Sequence, residues 1–296
     1  MIPSFDMFVG IDWSGARGPR LRGLQVAACR PGKAAPALVP PPVGGYWTRR
    51  AVHDWLLALR ADGHRVLAGI DFAFAYPRHD RGAYFPGVAA SPATAPALWA
   101  LVEELCADAE DFYGGPFYRD RRRPFHAYLN APGHRGHLFE SRRRLTELQC
   151  RRITAPSPVF NCVGPASVGI GSLAGMRLLH ALTEAANPAA AWPFAPPMAG
   201  LTVVEIFPRL YFKLVGADPR AWADPDNLAA AITSWDSAPP ASARVASEDE
   251  ADALIAAAAL RRLADRPAVW SAPAAAGPAA GLEGWIFGVE WVNDLA

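Results

Sequence analysis

The chain has 296 residues, of which 51% are hydrophobic and 19% are charged, and its formal net charge at pH 7 is +1. This composition indicates a soluble, folded, globular protein and excludes an extreme polyelectrolyte. The length allows one large domain or two modest ones.

The N-terminus and the cysteines bear on the compartment of the protein. The opening MIPSFDMFVGID has no basic segment ahead of a long apolar stretch, so no signal peptide is predicted. No apolar run reaches the about 18 residues that a membrane span needs. The four cysteines form no C-x-x-C pair, which excludes a zinc ribbon and a thioredoxin motif and favours reduced thiols. We therefore expect a cytoplasmic protein.

The first part of the chain predicts three strands, a helix and a returning strand. The apolar run MFVGID (7–12) precedes a Gly/Ser-rich turn, which is typical of a buried strand. Residues 21–29 and the short PALVP predict two more strands, and the three together make an antiparallel meander. Residues 48–62 begin on a threonine cap and place their apolar side chains on one face, which predicts an amphipathic helix. The apolar run 64–71 then predicts a strand parallel to the first.

The remainder alternates helices with one more buried strand. Helices are predicted over 93–113, 168–187 and 247–265, and the β-branched run LTVVEIFP (201–208) predicts a strand. Residues 114–168 are irregular, arginine-rich and interrupted by glycine and proline. We interpret them as an insertion within a single α/β domain.

Acidic residues stand where these strands end. Asp12 ends the first strand, and Asp71 ends a later strand on the same tripeptide, Gly-Ile-Asp. Glu205 lies in the third apolar strand, and Asp249 and Asp252 lie one turn apart on one helix face. The carboxyl ends of parallel strands line a common crevice, where several carboxylates repel one another unless a divalent cation lies among them. The pattern therefore predicts a metal site.

Each acid also has a structural interpretation. Asp12 and Asp71 could cap loops, and Glu205 could form an ion pair with Arg209 or with another buried arginine. Acids in the first turn of a helix, such as Asp249 and Asp252, are favourable because of the helix dipole alone.

Two further features suggest contacts with nucleic acid. Arginines interleaved with aromatic residues are typical of a surface that binds a single strand, although a solvated insertion paired with nearby acids is the alternative. The stretch GPASVGIGSLAG resembles a phosphate-binding loop at a helix N-terminus, although it lacks the Lys-Ser/Thr of a P-loop and could be a turn needed for close packing. The candidate contacts are Arg121, Arg122, Arg123, Arg142, Arg143, Arg144, Ser167 and Ser172.

Several stretches resemble one family when they are taken in order: GIDWSG, GIDFAFAYP, VGPASVGIGSLAG, WPF, VVEIFPR, DEADALIAA and EGWIFGV. The family is domain of unknown function 429, a group of bacterial and archaeal proteins predicted to be nucleases with a ribonuclease H-like fold. DEADAL is also similar to the closing helix of RuvC-type resolvases. The resemblance implies an α/β fold with a mixed central sheet and flanking helices, here carrying the arginine-rich insertion.

The same resemblance implies hydrolysis of a nucleic-acid phosphodiester at a site with two Mg²⁺ or Mn²⁺ ions. It implies that Asp12 bridges the ions, that Asp71 or Glu205 completes one ion, and that Asp252 completes the other. Asp249 could position the attacking water. RuvC-type enzymes act as dimers, but no long exposed apolar helix predicts a dimer face in this chain.

Two other functions remain open. The first is a nucleic-acid-binding or scaffold protein of the same fold that has no catalytic activity. The second is an actin-like ATP-binding phosphotransferase, because such proteins begin with an Asp-x-x-Gly turn like that from Asp12 to Gly15.

Overall fold

The computed structural model describes residues 2–164, 167–240 and 244–292. Its strands are β1 (Met7–Asp12), β2 (Gln25–Cys29), β3 (Ala37–Leu38), β4 (Val66–Ile70), β5 (Asn130–Ala131), β6 (His134–Arg135), β7 (Ala190–Ala191) and β8 (Leu201–Glu205). Its helices are α1 (Arg49–Ala61), α2 (Ala95–Cys106), α3 (Gly115–Arg119), α4 (Leu145–Cys150), α5 (Val168–Thr183), α6 (Pro208–Leu214), α7 (Pro225–Ser234), α8 (Glu248–Leu263), α9 (Pro267–Ala275) and α10 (Ala280–Glu283).

Six strands form a mixed central sheet in the order β3-β2-β1-β4-β8-β7. Strand β2 is antiparallel to both of its neighbours, whereas β1, β4, β8 and β7 run parallel to one another. The predicted meander and the parallel return after α1 are confirmed. Hydrophobic side chains are buried on both faces of this sheet, as expected where helices cover both sides.

Capping side chains begin the helices at the predicted places. The hydroxyl of Thr48 accepts a hydrogen bond from the Ala51 amide at 3.0 Å, at the start of α1. The hydroxyl of Ser247 accepts one from the Glu250 amide at 3.2 Å, at the start of α8. Each cap satisfies an amide that has no partner within its helix, and so it fixes the residue at which the helix begins.

Helix α8 touches the backbone of the sheet, and glycine in β1 makes this approach possible. A Cβ atom at Gly10 would lie 2.4 Å from the Ala253 carbonyl oxygen and 2.6 Å from the Ala257 nitrogen. Gly69 of β4 is similarly close to Leu260, at 2.8 Å. Small residues on both sides therefore bring the first turns of α8 over the end of β1.

The region 114–168 differs from the predicted insertion. It contains α3, α4, a short 3₁₀ helix and a two-stranded hairpin of β5 and β6. Phe117, Phe125 and Phe160 belong to the same buried cluster as the central sheet. The segment is thus part of the core, which its arginine content conceals in the sequence.

Helix α2 ends at Cys106, seven residues before its predicted end. The backbone at Asp111 and Phe112 is left-handed, with φ values of 49° and 53°, which no α-helix accommodates. No helix in the described residues is long and apolar enough to cross a membrane.

Candidate active site

The two Gly-Ile-Asp tripeptides lie side by side in the sheet. Residues 10–12 of β1 and residues 69–71 at the end of β4 run parallel, with glycine opposite glycine and isoleucine opposite isoleucine. The Asp71 amide donates a hydrogen bond to the Ile11 carbonyl at 3.0 Å. Because side chains alternate between the faces of a sheet, Asp12 and Asp71 lie on the same face as Gly10 and Gly69, the face covered by α8.

Helix α8 adds two more aspartates to this pair. Asp249 lies within hydrogen-bonding reach of Asp12. Burial, followed by the charges of Asp252, Asp71 and Asp249, raises the pKa of Asp12 well above its ordinary value. Burial and the charge of Asp71 raise the pKa of Asp252 in the same way. Four of the five acids that the sequence analysis assigned to one site are thus neighbours in the structure.

The four aspartates form no ion pair within the described residues, although the charge of Arg209 partly offsets the rise in the pKa of Asp252. Ion pairs within 4.0 Å bind other acids of the described residues to arginines, but none of them involves Asp12, Asp71, Asp249 or Asp252. Over residues 2–164, 167–240 and 244–292, no group of three or more His, Cys, Asp and Glu side chains is arranged to hold a metal ion. The cluster is therefore a region of concentrated negative charge and not a closed coordination shell.

Glu205 does not join the cluster as a free carboxylate. It pairs in register with Ile70, so its side chain leaves the sheet on the face opposite Asp12. Both carboxylate oxygens accept hydrogen bonds from Arg144, at 2.7 and 2.5 Å, and one also accepts from the Phe74 amide at 3.0 Å. The structural interpretation of Glu205 therefore describes it best, and Arg144 is the buried arginine that pairs with it.

Arg144 is buried between two acids. It also donates to Glu147 at 2.8 Å, and both partners are buried with it. Burial alone would lower the pKa of Arg144, but Glu205 and Glu147 together raise it above its ordinary value. The negative charge of Glu205 remains close enough to Asp71 that burial and Glu205 together raise the pKa of Asp71 to about 7.

A cavity of about 540 Å³ opens above the acids. Asp12, Asp71 and Asp249 line one side of it. The loop after β1 and the start of α5 also line it, together with the buried Arg144, Glu147 and Glu205. Further lining residues are Ser14, Gly15, Ala16, Arg17, Tyr113, Tyr118, Ser157, Ser167 and Gly171.

The glycine-rich stretch before α5 is used for packing. A Cβ atom at Gly15 would lie 2.4 Å from the Gly171 nitrogen, so the loop after β1 and the start of α5 touch through their backbones. Ser172 is fully buried, donates to the Val168 carbonyl and accepts from the Ala73 amide. Its hydroxyl is not available to a phosphate, which corrects that prediction. Ser167 does lie in the cavity wall.

Arg142 is also a structural residue, contrary to the prediction. It is buried, forms an ion pair with Asp80 at 2.7 Å and donates to the carbonyls of Pro77, Ala83 and Tyr84. A guanidinium with this many partners holds the loop after β4 in place and cannot reach a nucleic acid.

The other predicted arginines lie nearer the surface but outside the cleft. Arg121, Arg122 and Arg123 are exposed, and Arg122 and Arg123 form ion pairs with Asp120. Arg143 is half-buried and donates to a backbone carbonyl. None of these four residues lines the cavity above the aspartates within the described part of the chain.

Sequence reasoning missed Arg17 and Tyr113, which also line the cavity. Arg17 lies five residues after Asp12, at the end of the stretch GIDWSGAR. This position in the sequence is the one signal that could have identified it. The sequence predicts Tyr113 as the last residue of the helix over 93–113. In the structure a left-handed turn at Asp111 and Phe112 precedes it, and Tyr113 lines the cavity.

Comparison of the chain with protein-family models, with curated proteins and with solved structures found no match. The interpretation of the site therefore depends on its own geometry.

Proposed function

We propose that the protein is a metal-dependent nuclease of ribonuclease H-like fold that hydrolyses phosphodiester bonds in nucleic acid. The observation that carries the proposal is the group of four aspartates from β1, β4 and α8, which are close together and form no ion pair within the described residues. Such a group is costly in a folded protein unless a cation neutralises it.

The topology of the sheet supports the fold assignment. The order β3-β2-β1-β4-β8 with β2 antiparallel, and with α8 packed across β1, is the order of elements that the resemblance implies. The two aspartates at the carboxyl ends of neighbouring parallel strands lie where α/β sheets bind their ligands. An actin-like ATPase has less support, because such proteins duplicate the fold and the described residues form one six-stranded sheet.

The donor set fits Mg²⁺ or Mn²⁺ in chemistry and in charge. Mg²⁺ keeps several of its waters and binds through one or two carboxylates together with substrate phosphates. An open cluster is therefore compatible with this ion, although it lacks the three-ligand group of a structural site. In this proposal Asp12 and Asp249 would hold one ion and Asp71 and Asp252 the other, while Glu205 takes no part. Bound ions would supply an activated water and a counter-charge for the leaving oxygen.

Contacts within the chain hold the segments that carry Asp12 and Asp71 in position. The touching backbones of Gly15 and Gly171 fix the loop that carries Asp12 against the start of α5. The Arg144–Glu205 pair holds the Phe74 amide and so fixes the segment that follows Asp71. The aspartates would balance the charge of the ions, and the cavity above them offers room for the substrate.

A nucleic-acid-binding protein without catalytic activity is the second candidate. The observation in its favour is the neutralisation of Glu205 by Arg144, which turns one predicted ligand into a structural residue. The two candidates differ in whether the aspartate cluster binds a metal.

Titration calorimetry with Mn²⁺ tests the proposal, using the wild type, Asp12→Asn and Asp252→Asn. Asp265→Asn is the matched control, because Asp265 is exposed and lies beyond the opposite end of α8. We expect binding in the micromolar to low-millimolar range for the wild type and the control, and no binding for the two cluster variants. Because ions can enter with the substrate phosphate, the titrations are repeated with an oligonucleotide present.

Cleavage assays complete the test. Labelled single-stranded and duplex DNA and RNA are incubated with the same four proteins in Mg²⁺ or Mn²⁺. Cleavage by the wild type and the control, but not by Asp12→Asn, supports a nuclease. Metal binding that survives in both cluster variants, or no cleavage of any substrate, contradicts it and favours the second candidate.

A further inference from the structure

A second cavity joins the cleft at Arg17 and Tyr113. It has a volume of about 840 Å³ and is lined by Arg17, Tyr113, Arg50 and Arg119, among others. Since Arg17 and Tyr113 also line the cavity above the aspartates, the two spaces are neighbours with these side chains at their boundary. A ligand longer than one cavity would pass over the boundary.

The ring of Tyr113 is held rigidly at this boundary. Its hydroxyl lies 2.9 Å from the hydroxyl of Tyr118 and accepts a hydrogen bond from Arg119 at 3.0 Å. A Cβ atom at Gly115 would lie 2.3 Å from the ring, so only glycine leaves room for it. The left-handed conformation of Phe112 is rare for a bulky residue and indicates that the surroundings force the turn that places Tyr113.

Arg49 fastens the opposite side of the boundary. It is buried and donates to the Ser14 carbonyl at 2.8 Å, to the Ala16 carbonyl, and to the Asp111 carbonyl at 2.8 Å. One side chain thus ties the loop before Arg17 to the turn before Tyr113. The loop before Arg17 and the turn before Tyr113 are therefore fixed relative to each other before any ligand binds.

Two guanidinium groups share the ring of Tyr113. The Cζ atom of Arg17 lies 5.9 Å from the ring centroid, and that of Arg119 lies 5.4 Å from it. Both arginines are exposed, and no acid of the described residues forms an ion pair with either, unlike Arg122 and Arg123. Two cations over one ring without a carboxylate partner make a site for an anion.

The second cavity is also lined by one further exposed arginine and by three acids. Arg50 lies over the Phe112 ring at 4.1 Å and is exposed. Asp108 and Glu110 are exposed acids on its rim, and Asp111 is engaged with Arg49. Arg17 and Arg119 thus remain without an ion-pair partner among the described residues, beside the ring of Tyr113.

We propose that Arg17 and Arg119, held beside the ring of Tyr113, form a subsite that binds backbone phosphates of a single-stranded nucleic acid as the strand leaves the aspartate cleft. The inference deepens the proposed function and rests on it for the identity of the ligand. A phosphodiester reacting at the aspartates carries neighbouring phosphates, and the subsite supplies their counter-charge. A positively charged groove that follows the backbone is a usual way in which proteins bind single strands, and the buried ring of Tyr113 here holds the two arginines in place.

Fluorescence anisotropy in EDTA measures this subsite without metal and without cleavage. The probes are labelled oligothymidylate, labelled oligouridylate and a duplex of equal length. The variant is Arg17→Gln/Arg119→Gln, and the matched control is Arg262→Gln/Arg266→Gln, whose arginines are exposed at the far end of α8. Arg17→Lys/Arg119→Lys keeps the charge but not the planar guanidinium.

Each lost phosphate contact removes about 0.7 from the slope of log K against log[salt]. Two lost contacts therefore lower the affinity at 0.1 M salt, relative to 1 M, by about 1.4 in log K, and we expect the glutamine variant to bind single strands on the order of 25-fold more weakly. The slope itself should fall by about 1.4. The control should bind like the wild type, and the lysine variant should regain most of the affinity. The DNA and RNA probes differ in their sugar, and tight binding of either one supports the subsite.

Three results would overturn the inference. They are an unchanged affinity of the glutamine variant, an equal loss in the control, and a duplex that binds the wild type as tightly as the single strand does. A wild type that binds none of the probes has the same meaning. Because EDTA removes the metal, the binding experiment can be interpreted even if the protein proves not to be a nuclease. If the wild type cleaves nucleic acid but the glutamine variant binds it as tightly as the wild type does, the subsite is contradicted and the nuclease proposal is not.

Discussion

Replacement of Asp71 by asparagine should stabilise the metal-free protein at neutral and alkaline pH. Burial and Glu205 raise the pKa of Asp71 from 3.8 to about 7, so the folded state binds a proton there that the unfolded state releases. The cost to stability is absent below about pH 4, grows as the pH rises to about 7, and is constant above that. Three pKa units correspond to about 4 kcal/mol.

Partial exposure of the Asp71 side chain reduces this figure, and we take half of it. Asp71→Asn should then be more stable than the wild type by about 2 kcal/mol at pH 8, and by under about 1 kcal/mol at pH 5. Urea unfolding in EDTA, followed by tryptophan fluorescence, measures both differences. Trp47, Trp99 and Trp285 are buried and report on the core.

Added metal should reduce the difference in stability between Asp71→Asn and the wild type. Mn²⁺ at ten times its dissociation constant stabilises the wild type by about 1.4 kcal/mol and should have a smaller effect on the asparagine variant. Asp265→Asn should match the wild type throughout. If Asp71→Asn is no more stable at pH 8, or if its advantage is the same at pH 5, burial and Glu205 do not disfavour the charged form of Asp71 as the structure indicates.

The other expectations concern the supports of the site. Arg144→Met should lower the free energy of unfolding by about 3–5 kcal/mol, because it leaves two buried carboxylates unpaired, and Glu205→Gln in the same chain should restore part of the loss in urea unfolding. Gly10→Ala should destabilise by about 1–3 kcal/mol or more through its clash with α8, which thermal unfolding would detect. In the native state at pH 8 a thiol reagent should modify none of the cysteines, whose pKa values burial raises to about 11 or 12, whereas urea should expose them all: Cys29, Cys106, Cys150 and Cys162.

The sequence determined the elements that build the sheet and the positions of four acids. Apolar runs and capping residues are local signals, so they specify the strands and the start of α8 without knowledge of the fold. The repeated Gly-Ile-Asp was informative because glycine and aspartate have separate roles. Gly10 admits α8 to the face of the sheet, and Asp12 then lies beneath the first turns of that helix.

The tertiary structure alone decided which charged residues belong to the site. A shift of one residue in register sends a side chain to the other face of a sheet, and this is why Glu205 meets Arg144 while Asp71 meets the acids of α8. Burial of an arginine depends on which acids and carbonyls the rest of the chain brings to it. The proximity of Arg17 and Tyr113, which are far apart in sequence, likewise follows from the left-handed turn before Tyr113 and from the contacts of Arg49, and no local pattern encodes either.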